Sequence, residues 1–164
     1  MFDVGDKVVY PMHGAGIIEG IEEKEILGQK KKYFIMRMPI GEMKVMIPME
    51  NVSHIGLRQV VGLDAVNRVM DILGTDTSDE EANWNQRYRA NMDKMKSGDI
   101  YEIADVVRSL MVRDRAKGLS TGERKMLDQA KQILISELAL VEDRTSDELF
   151  SMLDGIVYEK DASL

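Results

Sequence analysis

The sequence predicts an α+β protein of two domains, a small Tudor-like or SH3-like β-barrel followed by an all-α helical domain. Short β-rich runs separated by glycine and proline fill the first third of the chain. After about residue 60 the apolar residues recur with helical spacing instead of alternating. A length of 164 residues suits one domain or two small ones. We therefore expect a β-domain over residues 1–57 and a helical domain over residues 58–164.

Four strands are predicted in the β-domain, and the run Val52–Leu57 is a candidate fifth strand. The four are Lys7–Tyr10, Ile17–Glu22, Lys32–Met38 and Met43–Ile47. Short strands with frequent turns are typical of a small, strongly bent sheet or barrel. Such modules usually bind partners through loops or an open strand edge and seldom carry chemistry.

The helical domain contains five predicted helices, marked by apolar stripes and by capping residues at their ends. They cover about residues 63–73, 81–96, 100–117, 121–141 and 146–158. The first stripe comprises Leu63, Val66, Val69, Met70 and Leu73. Capping boxes are predicted for Ser78 with Glu81, Ser120 with Glu123 and Thr145 with Glu148. Asp99 is expected to cap the third helix, and Gly118 to end it.

Composition argues against an enzyme and against a cofactor or a metal. The chain has no cysteine and two histidines, and it lacks a P-loop, a dinucleotide-binding fingerprint and any metal-ligand spacing. An enzymatic alternative would need a carboxylate pair such as Glu22 with Glu23, but adjacent residues of a strand point to opposite faces. No catalytic residue and no metal ligand is therefore assigned.

The sequence favours a cytoplasmic protein with no membrane association. No apolar run approaches the ~20 residues of a membrane span. Residues 1–6 lack the basic and apolar regions of a signal peptide. The absence of cysteine fits the same compartment.

Charge is distributed unevenly along an acidic chain of net charge −7. Residues 82–135 carry 11 Lys and Arg against 7 Asp and Glu, which gives +4, whereas residues 136–164 carry 2 against 8, which gives −6. A freestanding nonspecific DNA-binding protein is normally basic. The pattern fits a protein that a partner delivers to nucleic acid better than one that searches for it alone.

The positive segment contains the run Asn83–Arg89, with the single tryptophan of the chain. On a helix Trp84, Arg87 and Tyr88 share one face, because residues three and four apart are neighbours. An aromatic ring beside guanidinium groups can hold distorted or partly unpaired nucleic acid. The alternative is that Trp84 is the first residue of a core stripe with Tyr88, Met92 and Met95.

A second candidate contact lies at the start of the helix predicted from residue 121. Arg124 and Lys125 fall in its first turn, where positive charge opposes the helix dipole. A helix N-terminus with added basic side chains can bind a phosphate. A solvated basic surface is the other reading of this pair.

Short matching pieces, in order along nearly the whole chain, resemble the bacterial CarD/CdnL family of transcription regulators. They are Val4–Pro11 with His13 and Gly14, Ile47–Pro48 with Asn51, Asn83–Trp84 with Arg87–Tyr88, Gly118–Ser120 with Gly122–Glu123, Met126–Leu127, Gln132–Leu134 and Glu137–Ala139. The first piece also resembles the polymerase-binding domain of transcription-repair coupling factors. The pieces in the helical half distinguish the two families.

The resemblance implies that the β-domain binds the β subunit of RNA polymerase and that the helical domain reaches promoter DNA. In the family a tryptophan, matched by Trp84, wedges into the minor groove at the upstream edge of the bubble and stabilises the open complex. Basic residues that contact the DNA backbone match Arg87, Arg89, Arg124 and Lys125. Lys24 matches a basic position at the polymerase interface, and Met46 stands where some members place an arginine.

Two functions therefore remain open on sequence grounds. The first is a monomeric, non-enzymatic regulator that bridges RNA polymerase and promoter DNA without strong sequence preference, since phosphates carry no base information and minor-groove readout is degenerate. The second is a protein-interaction adaptor whose helical half binds another protein, with Trp84 as an interface anchor.

Overall fold

The computed structural model describes residues 2–75 and 83–162 and confirms the predicted combination of an antiparallel β-domain and a helical domain. The sheet contains β1 (Lys7–Tyr10), β2 (Gly14–Ile26), β3 (Gln29–Met38), β4 (Met43–Pro48) and β5 (Arg58–Gln59). Its strand order is β4-β3-β2-β1-β5, so β4 and β5 are the edge strands. The helices are α1 (Val52–Ile55), α2 (Leu63–Leu73), α3 (Trp84–Ser97), α4 (Ile100–Lys117), α5 (Thr121–Glu142) and α6 (Ser146–Ala162).

The candidate fifth strand at Val52–Leu57 is wrong, because this segment contains the short helix α1. Val52 and Ile55 are three residues apart, so one helical turn directs both toward the sheet core. Gly56 then ends the helix in the left-handed conformation, at φ 82°. The fifth strand is Arg58–Gln59, which pairs with β1. It follows directly after the expected domain boundary at residue 57.

The β2–β3 hairpin is longer than the sequence pattern predicts. Its outer part pairs opposite charges across the strands, with Glu23 facing Lys32 and Glu25 facing Lys30. Such cross-strand pairs stabilise antiparallel strands without an apolar alternation. The hairpin closes at Leu27–Gly28, and Leu27 is 99% exposed. Its inner part contributes Ile18, Phe34 and Met36 to the sheet core.

The five predicted helices agree closely with those observed, and three of them begin at a capping residue that the sequence predicts. The predicted limits of α2 and α4 match those observed, and Asp99, Ser120 and Thr145 each accept a backbone N–H at the start of a helix. The capping box at Ser78 and Glu81 lies outside the described residues. The observed cap of α3 is Asn83, whose Oδ1 accepts a 2.9 Å hydrogen bond from the Gln86 N–H.

One residue of the α2 stripe is misplaced in the prediction. Leu63 is 67% exposed, whereas Val66, Val69 and Leu73 are buried in the helical core. Leu63 is the first residue of α2, and it is not among the residues of the helical core. In the part of the chain that the structure describes, no helix is long and apolar enough to cross a membrane.

The sheet packs on α5, and the β1–β2 turn is held against the helices. The Ala15 N–H donates to Ser136 Oγ at 2.8 Å, and Gln129 Nε2 donates to the Met12 carbonyl at 2.9 Å. Gly14 has φ 120°, and a Cβ there would lie 3.0 Å from Ser136 Oγ. Glycine is therefore required where the sheet approaches α5.

Candidate nucleic-acid interface

Trp84 is the first residue of α3, and the residue is 43% exposed. The ring stacks on Tyr88 with centroids 4.9 Å apart and an angle of 18° between the planes. Its Nε1 donates a 2.9 Å hydrogen bond to Ser120 Oγ, the N-cap of α5. Trp84 is therefore not a buried core residue, although Tyr88 and Ser120 hold its ring in place.

The first turn of α5 supports the stacked rings. A Cβ at Gly122 would lie 3.6 Å from Tyr88 Cε2 and 3.7 Å from Trp84 Cζ2, so both rings lie close to the backbone there. A larger residue at position 122 would project toward both rings. The start of α3 and the start of α5 therefore form one site, defined by Trp84, Tyr88, Ser120 and Gly122, which we call the tryptophan site.

Arg87 lies beneath the tryptophan site in an ion pair. Its Nε donates to Glu123 Oε2 at 3.0 Å, and its side chain is 13% exposed. Glu123 is buried, and its Oε1 accepts a 3.3 Å hydrogen bond from Ser120 Oγ. The expected phosphate contact by Arg87 thus competes with an internal partner. Arg87, Glu123 and Ser120 instead form a continuous support for the tryptophan ring.

The electrostatics of Glu123 match this support. Burial by itself raises the pKa of the Glu123 carboxyl. The hydrogen bond and charge of Arg87, the hydrogen bond of Ser120 and the charge of Arg113 outweigh it and hold the pKa below its ordinary value. Glu123 is therefore ionised at neutral pH and keeps Arg87 and Ser120 oriented.

The remaining predicted cations differ in how far they are engaged by the protein. Arg89 and Lys125 are exposed, and neither makes a hydrogen bond or ion pair with another described residue. Arg124 is also exposed but donates to Asp114 Oδ1 at 2.9 Å. Arg124 and Lys125 share the first turn of α5 with the tryptophan site. The structure thus brings the start of α3 together with this basic turn.

One face of the sheet carries both residues that the resemblance places at the polymerase interface, Lys24 and Met46. Lys24 faces Lys31, and Met46 faces Ile35, in the pairing of β2, β3 and β4. Alternate residues of a strand share a face, so Lys31, Tyr33 and Ile35 place both residues on the same side. Met46 is 37% exposed on the edge strand β4. An apolar side chain therefore lies beside unpaired edge backbone.

The sequence did not reveal that Ser120, Gly122 and Glu123 support Trp84. Ser120 and Glu123 were expected only as a capping box, and nothing in their pattern points to a tryptophan 36 residues away. The one available signal was Gly122, a glycine inside a helix, which often marks a close approach by another group.

Two family models match consecutive parts of the chain. The CarD-like/TRCF RID domain matches residues 2–61, and the CarD C-terminal domain matches residues 68–154, more than half of the sequence. The chain belongs to the CarD family. Members of this family are transcription factors and not enzymes, so this CarD-family protein has a role in transcription regulation.

A curated relative agrees with this assignment. The chain is 46% identical over 151 residues to a protein of Bacillus subtilis (strain 168) named "Putative transcription factor YdeB", covering 92% of this chain and 99% of the relative. A solution NMR structure of the 72-residue N-terminal domain of Myxococcus xanthus CarD is 39% identical. It covers 36% of this chain and 79% of that domain, with a TM-score of 0.32.

Proposed function

We propose that this CarD-family protein binds the β subunit of RNA polymerase through its sheet and stabilises the promoter open complex through its tryptophan site. Trp84 would act as a wedge in the minor groove at the upstream edge of the bubble. The wedge would hinder reannealing of the DNA strands, which lengthens the lifetime of the open complex. The action would depend little on DNA sequence, since phosphates and the minor groove carry little base information.

The observation that carries this proposal is an exposed aromatic ring that the protein has already oriented. Trp84 is fixed by Tyr88 stacking and by the Ser120 hydroxyl while 43% exposed. A wedge must unstack a base step at a cost of about a few kcal/mol. A ring with its rotamer fixed before binding loses little further entropy, so more of the contact energy remains to offset that cost.

Phosphate contacts would come from exposed cations of α3 and α5. Arg89 and Lys125 supply charge without a described internal partner, and Arg124 would exchange Asp114 for a phosphate. Arg87 would act mainly by holding the site through Glu123. The start of α5 adds backbone N–H groups that favour an anion.

Tethering by polymerase explains how an acidic chain could act on DNA. The N-terminal domain matches the RID domain, a name that denotes RNA polymerase interaction. Lys24 and the Met46 edge of the sheet would provide that contact, the edge by strand pairing or side-chain packing. A protein bound to polymerase meets upstream DNA at a high effective concentration, so a weak site suffices.

The test is the lifetime of open complexes formed by the cognate polymerase on a ribosomal RNA promoter. We expect wild-type protein to extend the lifetime and Trp84→Ala to lose most of the extension while still binding polymerase. Leu63→Ala is the matched control, because it removes another exposed apolar side chain of the helical domain. It should behave as wild type.

Two outcomes would contradict the proposal. If Trp84→Ala extends the open-complex lifetime as much as wild type does, Trp84 does not act as a wedge. Polymerase binding would then account for the whole effect. No extension by the wild-type protein would favour the adaptor function, in which Trp84 anchors another protein.

A further inference from the structure

Arg58 lies where the sheet, the end of α3 and the middle of α5 meet. It belongs to β5, and its Nε donates to the Gly98 carbonyl at 2.9 Å. Its two terminal nitrogens donate to the two carboxylate oxygens of Glu137, both at 2.8 Å. One side chain thus connects three elements from the two domains.

Glu137 is fixed as firmly as its partner. It is 2% exposed on α5, and its Oε2 also accepts a 2.9 Å hydrogen bond from the Val61 N–H. Val61 belongs to the connection between β5 and α2. A bidentate arginine–carboxylate pair restricts orientation as well as distance. With three donors on one buried carboxylate, the junction of the domains has a defined geometry.

The same junction holds the far end of the helix that begins at Trp84. Gly98 ends α3 at φ 71°, and a Cβ there would lie 3.2 Å from Pro11 Cγ in the β1–β2 turn. The 14 residues of α3 span about 21 Å. A rotation of about 10° at the junction would therefore displace Trp84 by about 3–4 Å.

We propose that Arg58 and Glu137 are positioning residues, whose ion pair fixes the helical domain on the sheet and so presents Trp84 at one place relative to the polymerase-binding face. The inference rests on the proposed function for its consequence at a promoter. The geometry that it describes belongs to the free protein. A wedge that acts on one base step cannot tolerate displacements of several ångströms, because adjacent base pairs are only about 3.4 Å apart.

The test uses the full chain with both charges removed, Arg58→Met/Glu137→Met. Removing the pair together avoids leaving one buried charge without a partner. The chain has no cysteine, so Glu25→Cys on the β2–β3 hairpin and Ala90→Cys on α3 provide two exposed sites for spin labels. We expect a narrow distance distribution between the labels in the wild-type background and a broader or shifted one in the double variant.

The functional measurement is the open-complex lifetime together with affinity for polymerase. We expect the double variant to keep its affinity for polymerase and to lose most of the lifetime extension. The control is Lys94→Met/Asp105→Met, which removes an ion pair between α3 and α4 away from the domain junction. The control variant should retain both the narrow distance distribution between the labels and the extension of the open-complex lifetime.

The outcomes separate this inference from the proposed function. An unchanged distance distribution in the double variant would overturn the positioning role. A broadened distribution together with a wild-type open-complex lifetime would overturn it as well. If wild-type protein gives no extension, the proposed function fails, while the distance distributions still decide whether the pair fixes the domains. If the double variant does not unfold cooperatively and is therefore not properly folded, the same measurements are made on Arg58→Lys. That substitution keeps the charge and loses the bidentate contact.

Discussion

Glu123 couples the stability of the protein to the orientation of its exposed tryptophan. The carboxylate is buried, accepts from Arg87 and Ser120, and has a pKa below its ordinary value. A carboxyl group with a lowered folded-state pKa stabilises the fold above its unfolded pKa of about 4.3. That contribution is lost as the pH falls through the folded-state pKa.

We expect Glu123→Gln to lower the free energy of unfolding by about 1.5–3 kcal/mol at pH 7, because it removes a charged acceptor from Arg87. The difference from wild type should shrink as the pH falls below the unfolded-state pKa of about 4.3, because the unfolded wild-type chain then binds a proton at Glu123 more readily than the folded protein does. Urea unfolding at pH 7 and at pH 3.5 measures both values.

The control for this prediction is Asp114→Asn, which removes the carboxylate that pairs with the exposed Arg124. Such surface pairs contribute at most about 1 kcal/mol. The prediction is contradicted if wild type and Glu123→Gln differ in free energy of unfolding by the same amount at both pH values. The ion pair between Glu123 and Arg87 would then make no pH-dependent contribution to stability.

At the residue scale, the sequence identified Trp84 but not what holds it. Its helical neighbours Arg87 and Tyr88 follow from spacing alone. Ser120 and Glu123 lie on another helix, and their contact with α3 depends on how α3 and α5 pack. The phosphate contact of Arg87 stays a prediction, but a charge pattern on α3 cannot reveal the buried carboxylate of Glu123 on α5 that pairs with Arg87.

At the level of helices and strands, the connection between α4 and α5 depends on Gly118, which adopts φ 79° and ψ 162°. This conformation is nearly exclusive to glycine, and other residues pay about 1–3 kcal/mol for it. The turn sets Ser120 under Trp84. We expect Gly118→Ala to lower the free energy of unfolding by that amount in a urea titration.

Gly155→Ala is the opposite case and serves as the control. Gly155 lies inside α6, is exposed, and a Cβ there would meet no atom within 4 Å. Alanine in a compatible helical position stabilises by about 0.4–1 kcal/mol. If Gly118→Ala and Gly155→Ala changed the stability in the same direction, backbone strain at Gly118 would be excluded.

Edge strand β4 carries the prediction for polymerase binding. Met46→Glu should weaken binding to the polymerase β subunit by about tenfold or more, because a carboxylate must be desolvated when that face is covered. Met43→Glu is the control on the same strand, since Met43 is 57% exposed and lies on the opposite face. Biolayer interferometry measures the affinity of both variants for the polymerase β subunit. Equal losses of affinity would show that the face of β4 that carries Met46 is not the specific contact.

The elements that the sequence predicted well are those with local signals. The limits of α4 follow from Asp99 and Gly118, which act within one turn of the helix. Val52–Leu57 was misassigned because a segment this short, with only three apolar residues, fits a strand or a helical turn equally. The outer β2–β3 hairpin was predicted too short because its charged pairs become visible only when the register is known.

For the whole molecule, a net charge of −7 limits what the protein does alone. We expect free protein to bind promoter-length duplex DNA with a Kd of about 0.1 mM or weaker at physiological salt. Fluorescence anisotropy of labelled DNA measures this value. Micromolar binding by the free protein would contradict delivery by polymerase. The variant Arg89→Gln/Lys125→Gln would then show whether these two exposed cations are responsible for that binding.

The β1–β2 turn has a consequence for how the chain acquires its fold during translation. Met12 and Ala15 bond with Gln129 and Ser136, which lie 117 and 121 residues later. At roughly 5–20 residues per second, the ribosome adds those partners about 6–24 seconds after the turn itself. During this interval the Met12 carbonyl and the Ala15 N–H lack these partners, so α5 completes the N-terminal domain as well as its own.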